Sequence, residues 1–183
     1  MTAVDLGLSV KWAFCNLGAE TKLGRGDLYK WGETSPAQGN NTKEDYAYYD
    51  VTSNTYQDLG DDISGTKYDA ATAILGEGWR IPTKAEWEEL KSNCTATSHE
   101  IDGSSFYYVF RSNKNNNAIC IPATYSSYCY WTSTDYTYSN TSLTDDDEFI
   151  APYYFLLNYD YTEIGERTVP YQGNYIRAVY DGE

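Results

Sequence analysis

The chain has 183 residues and 41% hydrophobic content, which excludes wholesale disorder and is sufficient for one domain with a hydrophobic core. Its 13 basic and 27 acidic residues give a formal net charge of −14, which argues against nucleic acid or an anionic membrane as a partner, because phosphate contacts need clustered Lys and Arg. No apolar run approaches the roughly 20 residues of a membrane-spanning helix, so we expect no membrane insertion of this domain.

The N-terminal part predicts short strands, turns and a long surface excursion. Residues 8–14 alternate apolar and polar side chains, as in a half-buried strand, and glycines interrupt residues 5–33. Residues 35–62 are polar, which predicts an excursion over the surface. We expect this excursion to be tethered to the domain by its aromatic side chains, Tyr46, Tyr48 and Tyr49.

Two helices are predicted in the middle of the chain. The first begins after the N-cap Asp69 and ends at Gly76. The second begins after Thr83, whose hydroxyl can accept a hydrogen bond from the amide of Glu86 while the Glu86 carboxylate reaches back to the Thr83 amide, a capping box. The apolar face of this second helix is formed, at a spacing of three residues, by Trp87 and Leu90.

The second half of the chain predicts mainly strands. Residues 95–100 are polar, contain the one histidine, His99, and predict a turn after the second helix. Aromatic and β-branched residues between polar turns then predict strands at 105–111, 118–122, 128–132, 153–157 and 175–180. The Asn-rich residues 113–117 predict a hairpin tip. This order predicts an α+β fold in which two helices lie beside a mostly antiparallel sheet.

The sequence carries no recognisable catalytic motif. A Ser or Cys nucleophile needs a positioned base, and we expect His99 to be a solvated loop residue. A GxSxG elbow, a phosphate-binding glycine loop and an HExxH pair are absent, so we expect neither enzymatic activity nor a cofactor. The four cysteines form no CxxC pair and leave free thiols and three disulfide pairings open: Cys15, Cys94, Cys120 and Cys129.

Carboxylates and tryptophans are the other candidates for chemistry. Acidic segments at 58–62 and 145–148 could offer oxygens to calcium, but they lack the ligand spacing of an EF-hand, so we expect solvated loops. Glu86 with Glu88 or Glu89 is interpreted as a helix cap and a solvated helix face rather than a glycosidase pair. Apolar surroundings favour core packing over sugar stacking for most of Trp12, Trp31, Trp79, Trp87 and Trp131.

Tyrosine is concentrated in the C-terminal third, where 12 of the 20 Tyr residues lie from Tyr125 onward, interleaved with Ser, Thr, Asn and Asp. This mixture is typical of recognition surfaces, since tyrosine offers large, stiff contact area and the small polar residues supply adaptable hydrogen bonds. It is equally typical of a β-rich domain whose strands favour aromatics. Composition alone leaves both interpretations open.

Several segments resemble a known family. Residues 76–90, GEGWRIPTKAEWEEL, follow the WR-hydrophobic-PT-x-AEWE-x-L pattern typical of C-type-lectin-like folds of the formylglycine-generating-enzyme subclass. A closer resemblance is to the Fibrobacter succinogenes major paralogous domain, which is abundant in Bacteroidetes. Its blocks occur in this chain in the same order as in the family, at 7–19, 29–34, 69–73, 118–123, 128–134 and 176–179. The resemblance implies a single C-type-lectin-like domain over 1–183, with scaffold positions at Trp131, Arg177 and Val179.

The region from about 125 to 176 also resembles the variable proteins of diversity-generating retroelements, which use the same lectin-like fold. Their mutagenesis converts adenines, so that AAC-type codons scatter into a restricted set of mainly small and polar residues and tyrosine, and residues 126–174 are dominated by that set. The resemblance implies a ligand-binding surface that includes Ser127, Tyr128, Tyr130, Asp135, Tyr136, Tyr138, Asn158, Tyr159, Tyr171 and Asn174.

The function implied by this resemblance is non-enzymatic binding of a protein or glycan on a cell surface. We expect an extracellular domain, on a bacterial surface or a phage virion, with any signal or anchor outside these residues. The alternative is a fixed-specificity structural or adhesive module of a bacterial surface protein. The enzymatic branch of the superfamily uses copper and a cysteine pair, but the surroundings of Cys120 and Cys129 do not match its motif. The calcium-binding triplets of lectins are missing as well, so neither activity carries over.

Overall fold

The structure is a computed structural model in which residues 1–125, 128–135, 152–165 and 168–182 are described. Over these ranges the chain forms the helices α1 (Ala70–Leu75) and α2 (Lys84–Asn93) and a short 3-10 helix, Lys43–Asp45. The strands in the same ranges are β1 (Ala3–Val4), β2 (Lys11–Ala13), β3 (Tyr49–Asp50), β4 (Thr55–Tyr56), β5 (Trp79–Arg80), β6 (Cys94–Asp102), β7 (Ser105–Ser112), β8 (Ala118–Thr124), β9 (Tyr128–Asp135), β10 (Pro152–Leu157), β11 (Thr162–Gly165) and β12 (Val179–Tyr180). No helix in these ranges has the length and apolar character needed to span a bilayer.

The strands form three sheets and a separate hairpin. The terminal sheet has the order β1-β2-β12-β5, the hairpin sheet β6-β7-β8 and the central sheet β11-β10-β9, while β3 pairs with β4. All of these strand pairs are antiparallel. The predicted α+β class, with two helices and mostly antiparallel strands, is therefore confirmed.

The terminal sheet unites strands from distant parts of the sequence. Val179 of β12 lies opposite Trp12 of β2 on one side and Arg80 of β5 on the other. On its far side β2 pairs with β1, where Val4 lies opposite Trp12. Because β12 is an inner strand of this sheet, β2 and β5 are joined only through the C-terminal residues of the described chain.

Strand β9 separates two hydrophobic clusters, because alternate side chains of a strand point to opposite faces. Tyr130 packs in a cluster that contains Trp12, Trp87 and Phe155. Its neighbour Trp131 packs in the other cluster, with side chains of α1 and β5. All five tryptophans of the chain are buried, as predicted.

Three indole N–H groups bind β9 to its surroundings. Trp131 Nε1 donates to the carbonyl of Tyr29 at 2.6 Å, and Trp31 Nε1 donates back to the carbonyl of Thr132 at 2.9 Å. From α2, Trp87 Nε1 donates to the carbonyl of Trp131 at 3.3 Å. A buried indole N–H needs an acceptor, so these bonds fix β9 relative to α2 and to the N-terminal segment.

Both helices begin as predicted. Asp69 is the N-cap of α1, and the helix ends at Gly76, whose φ of 90° is a conformation that glycine adopts most easily. In α2, Thr83 Oγ1 accepts from Glu86 N–H at 3.2 Å, and Glu86 Oε2 accepts from Thr83 N–H at 2.8 Å, which confirms the capping box. Glu86 also forms an ion pair of 2.5 Å with Arg80, so this carboxylate has a structural role.

The polar segment at 95–100 is a strand, and the predicted turn is wrong. The segment belongs to β6, which pairs with β7 and places His99 opposite Tyr107. Because β6 is an outer strand of the hairpin sheet, most of its side chains meet solvent, so their polarity reflects exposure rather than a turn. His99 is exposed, as predicted, and its ring stacks on Tyr107 with 5.2 Å between centroids.

Of the five later strands, the first four are confirmed as β7 to β10, and residues 113–117 connect β7 to β8 as the predicted hairpin tip. The fifth predicted strand, at 175–180, has regular strand pairing only at β12. Tyr175 forms a parallel bridge with Tyr130 of β9, whereas the carbonyl of Ile176 accepts from Leu17 N–H at 2.9 Å. The chain changes partners in this stretch, which interrupts the ladder despite the strand-like sequence.

The excursion at 35–62 contains the 3-10 helix and the β3–β4 hairpin. Tyr46 is buried and its hydroxyl donates to the carbonyl of Trp31 at 2.7 Å. The Tyr48 hydroxyl donates to the carbonyl of Gly32 at 3.1 Å. The predicted aromatic tether is thus confirmed for these two tyrosines, which fasten the excursion to the segment before it.

Asp69 connects α1 to two other segments through one buried carboxylate. Oδ1 accepts from the backbone N–H groups of Ala71 at 2.8 Å and Thr72 at 3.1 Å. Oδ2 accepts from those of Gly65 and Ile81, both at 2.9 Å. Burial raises the pKa of Asp69, although the four N–H donors favour its charged form. The carboxylate therefore holds together the loop before α1, the start of the helix and the residue that follows β5.

We predict that Asp69→Ala lowers the free energy of unfolding by about 3 kcal/mol or more, because an unsatisfied buried donor costs about 1–3 kcal/mol. Urea unfolding followed by circular dichroism measures the change. Asp62→Ala is the matched control. Asp62 is exposed, and the one described hydrogen bond of its carboxylate is accepted from Ser64 N–H. That variant should lose less than about 1 kcal/mol. Equal losses in the two variants would contradict the prediction.

Candidate ligand-binding surface

The ten residues predicted to bind ligand fall into three groups. The first lies outside the described residues and comprises Ser127, Tyr136 and Tyr138. The second is buried and comprises Tyr128, Tyr130, Asp135 and Asn174. The third is half-buried, with side chains that reach solvent, and comprises Asn158, Tyr159 and Tyr171. Only the third group offers a described surface to a ligand.

The expectation that Tyr128 and Tyr130 are exposed is wrong. Tyr130 is 0% exposed, and its hydroxyl donates to the carbonyl of Pro122 at 2.8 Å and accepts from Asn16 Nδ2 at 3.0 Å. Tyr128 is 3% exposed and stacks on Tyr175 with 4.1 Å between ring centroids. Both faces of β9 are covered by core clusters, so its tyrosines are packing residues.

Asp135 and Asn174 are also buried, against expectation. Asp135 stands at the end of β9, where its N–H donates to the carbonyl of Asp61 at 2.9 Å. Asn174 exchanges two backbone hydrogen bonds with Tyr29, at 2.9 and 3.0 Å. Each residue lies where its backbone bonds to a segment that is distant in sequence. Some polar residues of this region are therefore buried where distant segments meet, and others lie on the surface.

The positions that the resemblance marks as scaffold are all in the core: Trp131, Arg177 and Val179 are 0% exposed. The guanidinium of Arg177 donates to the carbonyls of Ala13 at 3.0 Å and Cys120 at 2.8 Å. Burial lowers the pKa of Arg177, because the charged form is desolvated there. This side chain links the terminal sheet to the hairpin sheet.

The turn at residues 158–161 joins β10 to β11 and carries two of the half-buried candidates. Its ends are closed by a hydrogen bond from Asn158 N–H to the carbonyl of Tyr161 at 3.0 Å. Beneath it, the Tyr108 hydroxyl lies 2.8 Å from the carbonyl oxygen of Asn158 and 3.1 Å from that of Tyr159. The turn is therefore held by its backbone, which leaves its side chains available for contacts.

An aromatic groove lies beside this turn. It has a volume of about 390 Å³ and is lined by Ala96, Ser98, Tyr108, Tyr159, Asp160, Tyr161 and Thr162, and we name it the Tyr159 groove. The ring of Tyr159 packs on Phe106 at 5.4 Å and on Tyr125 at 5.2 Å between centroids. Tyr161 is 49% exposed and Tyr125 is 46% exposed. The groove and Tyr125 together expose three tyrosine rings on one surface.

The carboxylates near this surface make it negative. Desolvation raises the pKa of Tyr125, and the charges of Glu100, Asp160 and Asp102 raise it further. Two hydrogen bonds from Ser104 lower the pKa of Asp102 to about 2, so this carboxylate is charged at neutral pH. The surface thus combines phenol rings with negative charge.

The sequence predicted only part of this surface. Tyr108, Asp160 and Tyr161 were not among the candidates, although all three line the groove. A sequence signal for Asp160 and Tyr161 was available, since Asn-Tyr-Asp-Tyr directly follows the predicted strand at 153–157 and has the composition of an exposed turn. Tyr108 gave no such signal, because its position in an apolar strand predicts only core packing.

Tyr171 lies near a second group of tyrosines. Burial first, and then the nearby Tyr171, raise the pKa of Tyr56 to about 12. Tyr56 belongs to the tyrosine patch, which is formed by Tyr46, Tyr48, Tyr49, Tyr56 and Tyr68 with ring centroids 4.9 to 6.1 Å apart. The Lys43 ammonium lies 4.9 Å from the centroid of the Tyr49 ring. Here the described tyrosine surface is partly occupied by the chain's own cations.

The cysteines are the next candidates for chemistry. All four cysteines lie in the described ranges and are free thiols. Cys120 and Cys129 are on strands of different sheets, and burial raises the pKa of Cys129 to about 11. Within the described ranges, no group of three or more His, Cys, Asp or Glu side chains is placed to hold a metal ion.

The acidic segment at 58–62 forms ordinary loop turns. At 58–62, Asp58 and Asp62 accept from the N–H groups of Gly60 at 2.8 Å and Ser64 at 2.9 Å, as in ordinary loop turns. Residues 145–148 lie outside the described residues.

The comparisons with protein-family models, with curated proteins and with solved structures gave no match for this chain.

We predict that tetranitromethane, which must reach the ring to nitrate it, modifies Tyr125 and Tyr161 well before Tyr128 and Tyr130. The first pair is about half exposed and the second is at most 3% exposed. Peptide mass spectrometry of the folded chain after short reaction times measures the order. The same reaction in concentrated urea is the control, in which all four should react alike. Early nitration of Tyr130 in the folded chain would place it on the surface and contradict the structure.

We also predict a loss of stability at alkaline pH. The pKa values of Tyr29 and Tyr56 are raised to about 12 from an ordinary value of 10.0, chiefly by burial. The unfolded chain therefore releases these protons first, and the free energy of unfolding falls as the pH rises from about 10 to about 12. Urea unfolding at several pH values measures this fall. Tyr56→Phe should make it shallower, and an unchanged slope would show that Tyr56 does not contribute.

Proposed function

We propose that this chain is a non-enzymatic ligand-binding domain that contacts a protein or glycan on a cell surface. The observation that supports this proposal is the turn at 158–161, where partly exposed tyrosine rings are held over a groove by a backbone anchored in the core. Tyrosine rings that are already ordered lose little conformational entropy on binding, which favours affinity. The surface can therefore bind a partner without rearranging its scaffold.

The finer fold assignment is part of the same proposal. We propose a C-type-lectin-like fold of the formylglycine-generating-enzyme subclass, related to the Fibrobacter succinogenes major paralogous domain. The blocks that carry this resemblance coincide with core elements. Residues 76–90 include β5 and the first seven residues of α2, residues 128–134 lie in β9, and residues 176–179 lead into β12. Agreement between motif and core supports a shared scaffold.

We further propose that the domain is the variable protein of a diversity-generating retroelement and acts outside the cell, on a bacterial surface or a phage virion. Asn158, Tyr159 and Tyr171 support this assignment, because their residue types belong to the adenine-derived set and their side chains reach solvent. The burial of Tyr128, Tyr130, Asp135 and Asn174 favours the alternative, a fixed-specificity structural or adhesive module.

Sequencing the 3′ part of the gene across a population of the source organism or phage tests this proposal. We expect adenine-directed variation at the codons of Asn158, Tyr159 and Tyr171, with a near-identical template copy nearby. The buried Tyr130 has an adenine-containing codon too, but we expect selection to keep it unchanged, because Ser or Asn would leave a cavity in the core.

The Asn codons of the hairpin tip at 113–117 are the matched control, since every Asn codon begins with two adenines and this tip precedes the predicted region. They should stay constant. An invariant C-terminal region without a template would favour the fixed-specificity module. Variation that is as frequent at Tyr130 as at Tyr159 would contradict the assignment of the surface.

A further inference from the structure

We propose that the Tyr159 groove binds a cationic side chain, Arg or Lys, of a partner protein. This inference rests on the proposed ligand-binding function and names the chemistry of the ligand. The occupant is argued from two independent properties of the surface, the exposed tyrosine rings and the complementary negative charge beside them.

The rings make a receptor of suitable shape. Tyr159 lies between the groove and Tyr125, and Tyr161 stands at the groove with 49% of its surface exposed. The Tyr108 hydroxyl faces the turn backbone instead of the solvent. An approaching group therefore meets ring surfaces and the side chains of Ser98 and Asp160. Faces of tyrosine rings attract ammonium and guanidinium groups.

The charge selects the same occupant. The groove lining includes the exposed carboxylate of Asp160, and as far as it is described it includes neither Lys nor Arg. Glu100 and Asp102 act on Tyr125 from the adjoining end of the hairpin sheet. Among the described residues, Lys91 borders the groove, and its ammonium donates to the carbonyl of Thr162 at 2.9 Å. The carboxylates of Asp160, Glu100 and Asp102 favour a cationic ligand over an anionic one.

Arginine fits this surface better than lysine. Its planar guanidinium can stack on a tyrosine ring and keep its N–H groups directed at a carboxylate at the same time. A carboxylate- or phosphate-bearing ligand would be repelled by Asp160 and Glu100. A neutral sugar could contact the rings but would gain nothing from the charge, so charge dependence separates the two kinds of ligand.

A titration of the whole chain with hexa-arginine, followed by NMR chemical shifts and calorimetry, tests this inference. Hexa-citrulline is the neutral probe of nearly the same shape. We expect shifts at Tyr125, Tyr159 and Tyr161, an affinity that falls between about 0.05 M and about 0.5 M salt, and weaker binding of hexa-citrulline. Tyr159→Ala should weaken hexa-arginine binding roughly five-fold, in line with a partly desolvated cation–π contact.

Charge is tested with a matched pair. Asp160→Asn should weaken binding roughly three-fold, whereas Glu77→Gln, which removes one exposed negative charge on the turn between α1 and β5, should leave it within about 1.5-fold. Tyr159 also packs on Phe106, so Tyr161→Ala serves as a second aromatic variant whose exposed ring contributes little to folding. It should weaken binding roughly three-fold as well.

Equal losses for Asp160→Asn and Glu77→Gln would show that the peptide responds only to net charge and would overturn the inference. Equal binding of hexa-citrulline would also overturn it and would assign the groove to a neutral ligand. Chemical-shift changes confined to the tyrosine patch would place the cation site at that patch instead of the groove and would overturn the inference as well. None of these results bears on the sequencing test of the proposed function, so the two proposals can fail separately.

Discussion

The outer edge of β9 is buried, and the surrounding structure is arranged to satisfy its backbone. β9 is the last strand of the central sheet, so β10 supplies a ladder on one side only. On the other side Trp131 N–H donates to Tyr175, Ser133 N–H donates to Pro82, and the Ser133 carbonyl accepts from Ile63 N–H. A buried strand edge without such partners would be costly, which explains why loops and indole groups converge on this strand.

Two polar side chains then join the three sheets across the core. Tyr130, from the central sheet, bonds the Pro122 carbonyl of the hairpin sheet, and Arg177 bonds the carbonyls of Ala13 and Cys120 in the terminal and hairpin sheets. A charge is expensive to bury, and in this domain the carbonyl groups of Ala13 and Cys120 offset part of that cost. The short strands of the terminal sheet are held by this bonding as well as by their own ladders.

Local signals made the helix starts and the core tryptophans predictable from the sequence. The capping box at Thr83 and the N-cap at Asp69 depend on residues that are close in sequence, and periodic apolar residues indicated burial. The burial of the strand tyrosines was not predictable, because it depends on which distant segment covers a strand. Tyr130 and Tyr161 each follow another tyrosine by two positions, yet β9 is covered on both faces and the turn at 158–161 is not. The resemblance selected candidates by residue type, and residue type does not distinguish these two positions.

The anchoring of that turn bears on whether its side chains can vary. The Tyr108 hydroxyl binds the carbonyl oxygens of residues 158 and 159, and the closing bond runs between the backbones of residues 158 and 161. Backbone groups are the same whatever the side chain, so substitutions at these positions keep the anchor as long as proline does not replace residue 158. The cost of variation is then limited to the contact of residue 159 with Phe106 and Tyr125. A turn held in this way can change its ligand while the fold beneath it stays the same.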